Sequence, residues 1–372
     1  MRLASLRRLL FPAVAVLAVV LAARAAAVPR ATADTEPAYP CSVCIFELPL
    51  SPGAKLKILL GDPPVYAIDD LSPATRRLVL TEYGHDGFGL YVSNVDGSGR
   101  RRIGTGFGGV WSPDSKFVAY RRDPVPPFRC LGTLLWTVRF DGREEHEVAD
   151  GCVGDIEWAS DSRRIAFLRH GTGDPATLMI ARSDGTEARA VAEPLSGSGL
   201  AWSPLSNRLA FATTTEATPP SGHGVSEGEP YDAGSGVGLE VVRDDGSQVA
   251  NLPNAFTPAW APDGTAFAFL QLARSRLSLR VASADGQALT TLRTGRFISA
   301  PKWLPDSRRV AYLDEGPGPR RGDVAQQVFA VERGGGPPRQ LTRLRPGGTI
   351  VGYWFSPDAS RLYVQWHMDH EH

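Results

Sequence analysis

The sequence has 372 residues, with 40 Lys and Arg against 40 Asp and Glu, so its formal net charge is zero. That balance argues against a nucleic-acid binder, which needs clustered charge to neutralise phosphates. Arg outnumbers Lys 36 to 4 beside abundant Ala, Gly and Pro, which reads as GC-rich codon usage and not as an anion site.

The N-terminus reads as an export signal. Arg2, Arg7 and Arg8 precede an uncharged apolar run from Leu9 to about Ala23, and Ala31-Thr32-Ala33 supplies an A-x-A cleavage pattern. The run is shorter than the roughly 20 residues that span a bilayer, which favours cleavage over a retained anchor and leaves no stable membrane span. The expected organisation is a signal peptide over 1–33, a short segment over 34–41, one domain over 42–366 and a tail over 367–372. The chain is expected outside the cytoplasm, in the periplasm or beyond. Four cysteines fit an oxidising compartment, and Cys41–Cys44 with Cys130–Cys152 is the preferred pairing of the three they allow.

From residue 71 onward one pattern recurs: an aromatic residue, a Ser-Pro-Asp-like turn, then an apolar β-rich triplet. The copies begin at Leu71 (a worn one), Trp111, Trp158, Trp202, Trp260, Trp303 and Phe355. Their shorter spacings match one four-stranded propeller blade, and the longer ones imply inserted loops. After each copy but the last comes a strand, a tight turn and a short strand. The turns are Asp96-Gly97, Asp141-Gly142, Asp184-Gly185, Asp245-Gly246, Asp285-Gly286 and Gly334-Gly335. Asp-Gly between strand patterns signals a hairpin because Gly accepts the positive φ the turn requires.

Each repeat thus supplies four strands, A to D, and no helical period follows the leader. The copies resemble the WD-like propeller repeats of the TolB family over about residues 42–366. The resemblance implies an all-β, seven-bladed propeller, in which apolar sheet faces are buried only between neighbouring blades. The anchors Trp111, Trp158, Trp202, Trp260, Trp303 and Phe355 are expected to pack at those seams. The last copy holds only strands A and B. The strands near Val43–Phe46 and Leu56–Leu60 are expected to complete it, closing the ring with N-terminal chain; six blades is the alternative.

Strand order puts the A–B and C–D turns on one face, and the B–C and D–A connections on the other. The second face carries the long segments Arg121–Leu131, Thr213–Gly238 and Asp314–Val324. Candidate binding residues are His223, Glu229, Tyr231 and Asp232 in the longest, and Asp70, Asp155, Glu157 and Lys302 beside the axis. The plainer reading of the axial four is a polar lining of a wet tunnel. Gly104–Gly109 matches GxGxxG without the helix that would make it a nucleotide fingerprint, and no GxSxG elbow is present. No catalytic set, cofactor or metal is expected. The resemblance implies a monomeric scaffold with protein partners in the envelope, although the Tol–Pal member of the family carries an α/β domain for which this sequence has no room. A small-molecule or metal-dependent enzyme of lactonase or lyase type, using the tunnel mouth, is the alternative.

Overall fold

A computed structural model describes residues 39, 41, 43–51, 53–61, 67–84, 87–123, 133–170, 176–195, 199–214, 237–273 and 276–368. The leader, Cys130 and the loop residues His223, Glu229, Tyr231 and Asp232 lie outside them. Every regular element among the described residues is a β-strand, and the strands form seven four-stranded antiparallel sheets. This seven-bladed β-propeller rules out the six-bladed alternative, because the worn copy at Leu71 builds a full blade. Blades 1 to 6 occupy residues 67–105, 107–149, 152–195, 200–253, 255–295 and 299–340. Blade 7 joins residues 348–355 and 361–368 to residues 43–49 and 57–61. Its second strand runs to Met368, so the first two residues of the expected tail belong to the sheet.

The apolar side chains divide into seven clusters, each drawn from two neighbouring blades. Trp111 packs with Val79 and Leu90 of blade 1 as well as Val118 of its own blade. Trp158 meets Ala119 and Leu135, Trp202 meets Leu178, Trp260 meets Leu239, and Trp303 meets Leu279, each residue lying one blade back. An aromatic side chain removes roughly 150–250 Å² from water, so burying one at a seam contributes several kcal/mol before entropy is counted. The indoles also bridge seams by hydrogen bonds. Nε1 of Trp158, Trp260 and Trp303 donates to the carbonyls of Val110, Ala201 and Ala259 at 3.1, 3.2 and 2.9 Å. Phe355 departs from the expected pattern and is only half-buried. In its place Tyr353 is fully enclosed, and its hydroxyl donates to the Ala300 carbonyl at 2.5 Å.

The turns follow from side-chain chemistry. In the anchor turns Asp114, Asp161, Asp263, Asp306 and Asp358 each accept a backbone N–H two residues on. The residue after each of these Asp is in the left-handed region, with Ser115 at φ 58° and Ser162 at φ 57°. The serine that follows the Asp in other copies works across the seam. Ser162 Oγ accepts the Asp114 N–H and Ser307 Oγ accepts the Asp263 N–H, both at 3.0 Å. The five Asp-Gly hairpins repeat the same Asp-to-N–H bond on the same face.

Blade 6 has an outer strand of two residues, Arg339–Gln340, and a buried side chain makes up the deficit. Gln327 Nε2 donates to the Leu344 carbonyl at 2.9 Å, while its Oε1 accepts from the Thr342 hydroxyl and the Leu344 N–H at 2.9 and 2.8 Å. Gln327→Ala would strand these buried groups, each costing roughly 1–3 kcal/mol. Urea unfolding should show a loss of about 3 kcal/mol, with Gln327→Glu intermediate because the acceptor is kept.

The N-terminal strand pairs with the C-terminal one from Val43↔His367 to Pro49↔Arg361. Glu47 is buried there and accepts from both Arg361 of the same blade and Arg76 of blade 1. Arg76 also donates to the Tyr363 hydroxyl at 2.9 Å. The Cys41–Cys44 disulfide is formed, with Cα atoms 5.7 Å apart, and packs beside Phe46 and Trp366. The expected Cys130–Cys152 bond has one partner outside the described residues.

Candidate functional site

The first strand of each blade lines the axis, and from blade 1 to blade 6 successive first strands contact one another around it. Such a strand pairs on one edge only. Its other edge presents backbone N–H groups inward, and these need acceptors. Just before Leu71, Trp111, Trp158, Trp202, Trp260, Trp303 and Phe355 stand Asp70, Val110, Glu157, Ala201, Ala259, Lys302 and Trp354, a ring of seven at the waist of the channel.

The axial acids meet that need. Asp70 Oδ2 accepts the Trp111 N–H at 3.0 Å, and Oδ1 accepts that of Leu71 at 2.8 Å. Glu157 accepts the Trp202 N–H in the same relation one blade on. Asp69 Oδ2 accepts the Gly109 N–H at 3.1 Å and the Thr81 hydroxyl at 2.6 Å, while Thr81 Oγ1 accepts the Gly108 N–H at 3.2 Å. Asp155 accepts the Gly199 N–H. Blades 5 and 6 use another device. Where blade 2 has Gly109 they have Pro258 and Pro301, which carry no N–H to satisfy.

The waist brings together Asp70, Glu157 and Lys302. Lys302 Nζ donates to the Tyr353 carbonyl at 2.9 Å and sits 5.2 Å from the ring centroids of both Tyr353 and Trp354. Burial pushes the Glu157 carboxyl up to about 8, and the nearby Asp70 charge pushes the same way. Burial likewise lifts Asp70 to about 6, against the pull of the Trp111 N–H and Lys302. Burial also drives the Lys302 ammonium down, opposed by those two acids. One ammonium faces two carboxyls, so one acid can be balanced and the other is favoured neutral; the three titrate as a set. Protein surrounds these side chains, yet each keeps part of its surface open along the axis. Channel water therefore moderates the shifts.

Nearer the face of the long connections lies a second group. Arg121 folds flat over Gly108, so close that a Cβ there would stand 2.7 Å from Nη2, and its guanidinium carbon is 5.8 Å from the Phe107 centroid. Asp69 and Asp155 both act on its charge. His170 lies over Gly154 in the same manner, and burial lowers its pKa against the opposing charge of Asp155. Burial raises Asp69 to about 6. Phe107 continues outward through Phe88 and Tyr83, with centroids 4.9 and 5.2 Å apart. Among the described residues no three His, Cys, Asp or Glu side chains are arranged to hold a metal ion. Two open depressions, one beside Glu147 and Arg169 and one beside Leu50 and Arg361, lie away from the axis.

Of the residues singled out in the sequence, Asp70, Glu157 and Lys302 meet at the waist and Asp155 lies at the mouth. Sequence reasoning missed Asp69, Thr81, Arg121 and His170. Asp69, Thr81 and Arg121 had a signal, since each stands where most other copies of the repeat lack a polar side chain, whereas the position of His170 is polar in most copies.

No protein-family model matches the sequence, and no curated protein matches it. Solved structures do resemble the fold. A protein assigned as TolB from Agrobacterium tumefaciens is 12% identical, with a TM-score of 0.51 over 88% of this chain and 99% of that one. The chain folds as a TolB-like β-propeller. The same architecture appears in oligogalacturonate lyase from Vibrio parahaemolyticus, 13% identical with a TM-score of 0.59 over 87% of this chain and 97% of that one. It appears again in the propeller domain of the Trilobed protease from Pyrococcus furiosus, 13% identical with a TM-score of 0.56 over 81% and 93%. At these identities the likeness is one of fold, and a TolB-like propeller hosts binding and catalysis alike.

Proposed function

We propose that this TolB-like propeller is an exported binding scaffold that holds a protein partner in the cell envelope. The observation that carries the reading is the employment of the axial acids. Asp69, Asp70, Asp155 and Glu157 each accept a backbone N–H of the next blade, so their carboxylates serve the ring before any reaction. The export signal read in the sequence supports the location, and the long connections gathered on one face supply a surface. A structure of oligogalacturonate lyase in complex with manganese shares the fold at 15% identity, which makes a lyase the competing reading.

The test is site-specific photo-crosslinking in intact native cells. A photoreactive residue at Val324, exposed on the face of the connections, should give one discrete protein adduct. The same residue at Leu205, exposed on the turn face, should give none. Removal of residues 215–236 should abolish the adduct. Equal labelling from both faces, or none from either, would defeat the proposal.

A further inference from the structure

In a ring of repeats, side chains that recur in every blade build the ring, and polar departures from the repeat point elsewhere. Around the channel mouth those departures fall on one side. The position just after the apolar triplet of the second strand is Leu168, Ala212, Leu270 and Leu313 in blades 3 to 6, but Thr81, Arg121 and Gln365 in blades 1, 2 and 7. Asp69, Asp155 and His170 join them from the adjoining strands. At that position blades 7, 1 and 2 offer polar groups and blades 3 to 6 apolar ones, and blade 3 adds Asp155 and His170 beside it.

Arg121 is the pivot. Its Nε is buried and has no hydrogen-bond partner. Gly108 and Gly154 leave the space in which Arg121 and His170 lie flat against the inner strands. Asp69 and Asp155 both act on the guanidinium charge, and both carboxylates are also held by backbone N–H groups. One guanidinium against two carboxylates leaves a single net negative charge, itself hydrogen-bonded to backbone N–H groups, so the mouth does not draw in a free anion. What the mouth keeps is planar hydrogen-bonding capacity: an N–H fork, a neutral imidazole and the spare lone pairs of two carboxylates. Beside it the ladder Phe107, Phe88, Tyr83 runs outward along the seam of blades 1 and 2, ending in a tyrosine 67% exposed.

We infer that this mouth is a binding site for a neutral saccharide. The vicinal hydroxyls of a sugar match a fork of planar donors and acceptors without bringing charge, and its C–H face stacks on an aromatic ring. The ladder extends beyond one sugar, so the ligand is an oligosaccharide whose units follow the seam. Arg121 and His170 bind hydroxyls at the channel end, and Tyr83 supplies the outer platform. The site does not depend on the protein partner proposed above and is tested apart from it.

The experiment is saturation-transfer NMR and calorimetry on the purified chain. The probes are cellotetraose, maltotetraose and tetra-N-acetylchitotetraose, with tetragalacturonate and spermidine as charged controls. At least one neutral tetrasaccharide should bind, with ring protons of Phe107, Phe88 or Tyr83 as the source of transfer. Tyr83→Ala, an exposed change that spares the fold, should weaken binding about tenfold. Arg121→Lys should weaken it at least as much, because the ammonium lacks the planar fork. Leu289→Ala, far from the mouth, should leave it unchanged. Failure of all three neutral sugars to bind, preference for a charged control, or affinity indifferent to Tyr83→Ala and Arg121→Lys would overturn the inference.

Discussion

Raising the pH from 5 to 8 should destabilise this protein, and Glu157→Gln should remove most of the effect. The sign follows from linkage. Burial holds the Glu157 carboxyl at about 8 against an ordinary value near 4.5, so the folded chain binds this proton more tightly than the unfolded chain. The stability it contributes is fully present below the unfolded value and is lost as pH climbs through the folded one. Asp69 and Asp70, each lifted to about 6, add losses of the same sign between roughly pH 4 and 6. Lys302, which burial holds below its ordinary value, acts in the opposite direction as pH rises through its folded value. One pKa unit corresponds to about 1.4 kcal/mol. With the channel partly wet, the Glu157 contribution is on the order of 2 kcal/mol. Urea unfolding at pH 5 and pH 8 should show that fall in the wild type and less than half of it in Glu157→Gln. The amide can still accept the Trp202 N–H, and Lys302 retains Asp70, so the variant should be the more stable protein at pH 8. A wild-type profile flat across this window would mean that Glu157 ionises without cost and that the waist is far wetter than its packing implies.

The same residues show what a sequence can and cannot disclose about such a ring. Blade count, turn positions and seam aromatics were legible because each recurs, and recurrence separates signal from chance. Trp158 or Asp161 alone would mean little; five aligned tryptophans fix the architecture. The closing strands were legible from a deficit, since the Phe355 copy has two strands and Val43–Leu60 supplies two more. The axial groups were half legible. Asp70, Glu157 and Lys302 stand out beside the anchors, but their partners belong to other blades, and the use of Asp70 on the Trp111 N–H depends on a seam between chain segments 41 residues apart. Pro258 and Pro301 show the same limit. As sequence they are merely prolines in a strand; as structure they delete donors that no neighbouring acid would have capped. His170 escaped notice because a glycine elsewhere, Gly154, gives it room, and a pairing through absent atoms leaves no local pattern.

The order of strands in the chain should matter less to this fold than their presence. Starting the chain at Ala67 removes both N-terminal strands of blade 7. That uncovers Val364 and Trp366, which pair with Phe46 and Cys44, and it leaves Arg76 and Arg361 without Glu47. It also strips blade 1 of the cluster that joins Ile45 to Leu71 and Leu78. Two seams then lose their cover together, and a ring stabilised by nearest-neighbour contacts has no other way to shield them. The truncated chain should fail to give a cooperative thermal transition and should bind hydrophobic dyes. A circular permutant restores the same strands in another order: it begins at Ala67, runs to Met368, and continues through a short Gly-Ser linker into residues 43–61. Its seventh blade is then continuous, like the other six. The linker replaces a contact between chain ends with a short loop, whose closure costs little. The permutant should therefore melt in one transition within a few degrees of the full chain. If the truncated chain melted as cooperatively as the full one, the N-terminal strands would be decoration. If the permutant also failed, closure by the two ends would serve folding in some way beyond filling the last blade. Glu47→Gln separates the polar clasp from the strand itself, because pairing from Val43 to Pro49 survives while the two guanidiniums lose their charge partner. Its melting temperature should fall by a few degrees while the transition stays single.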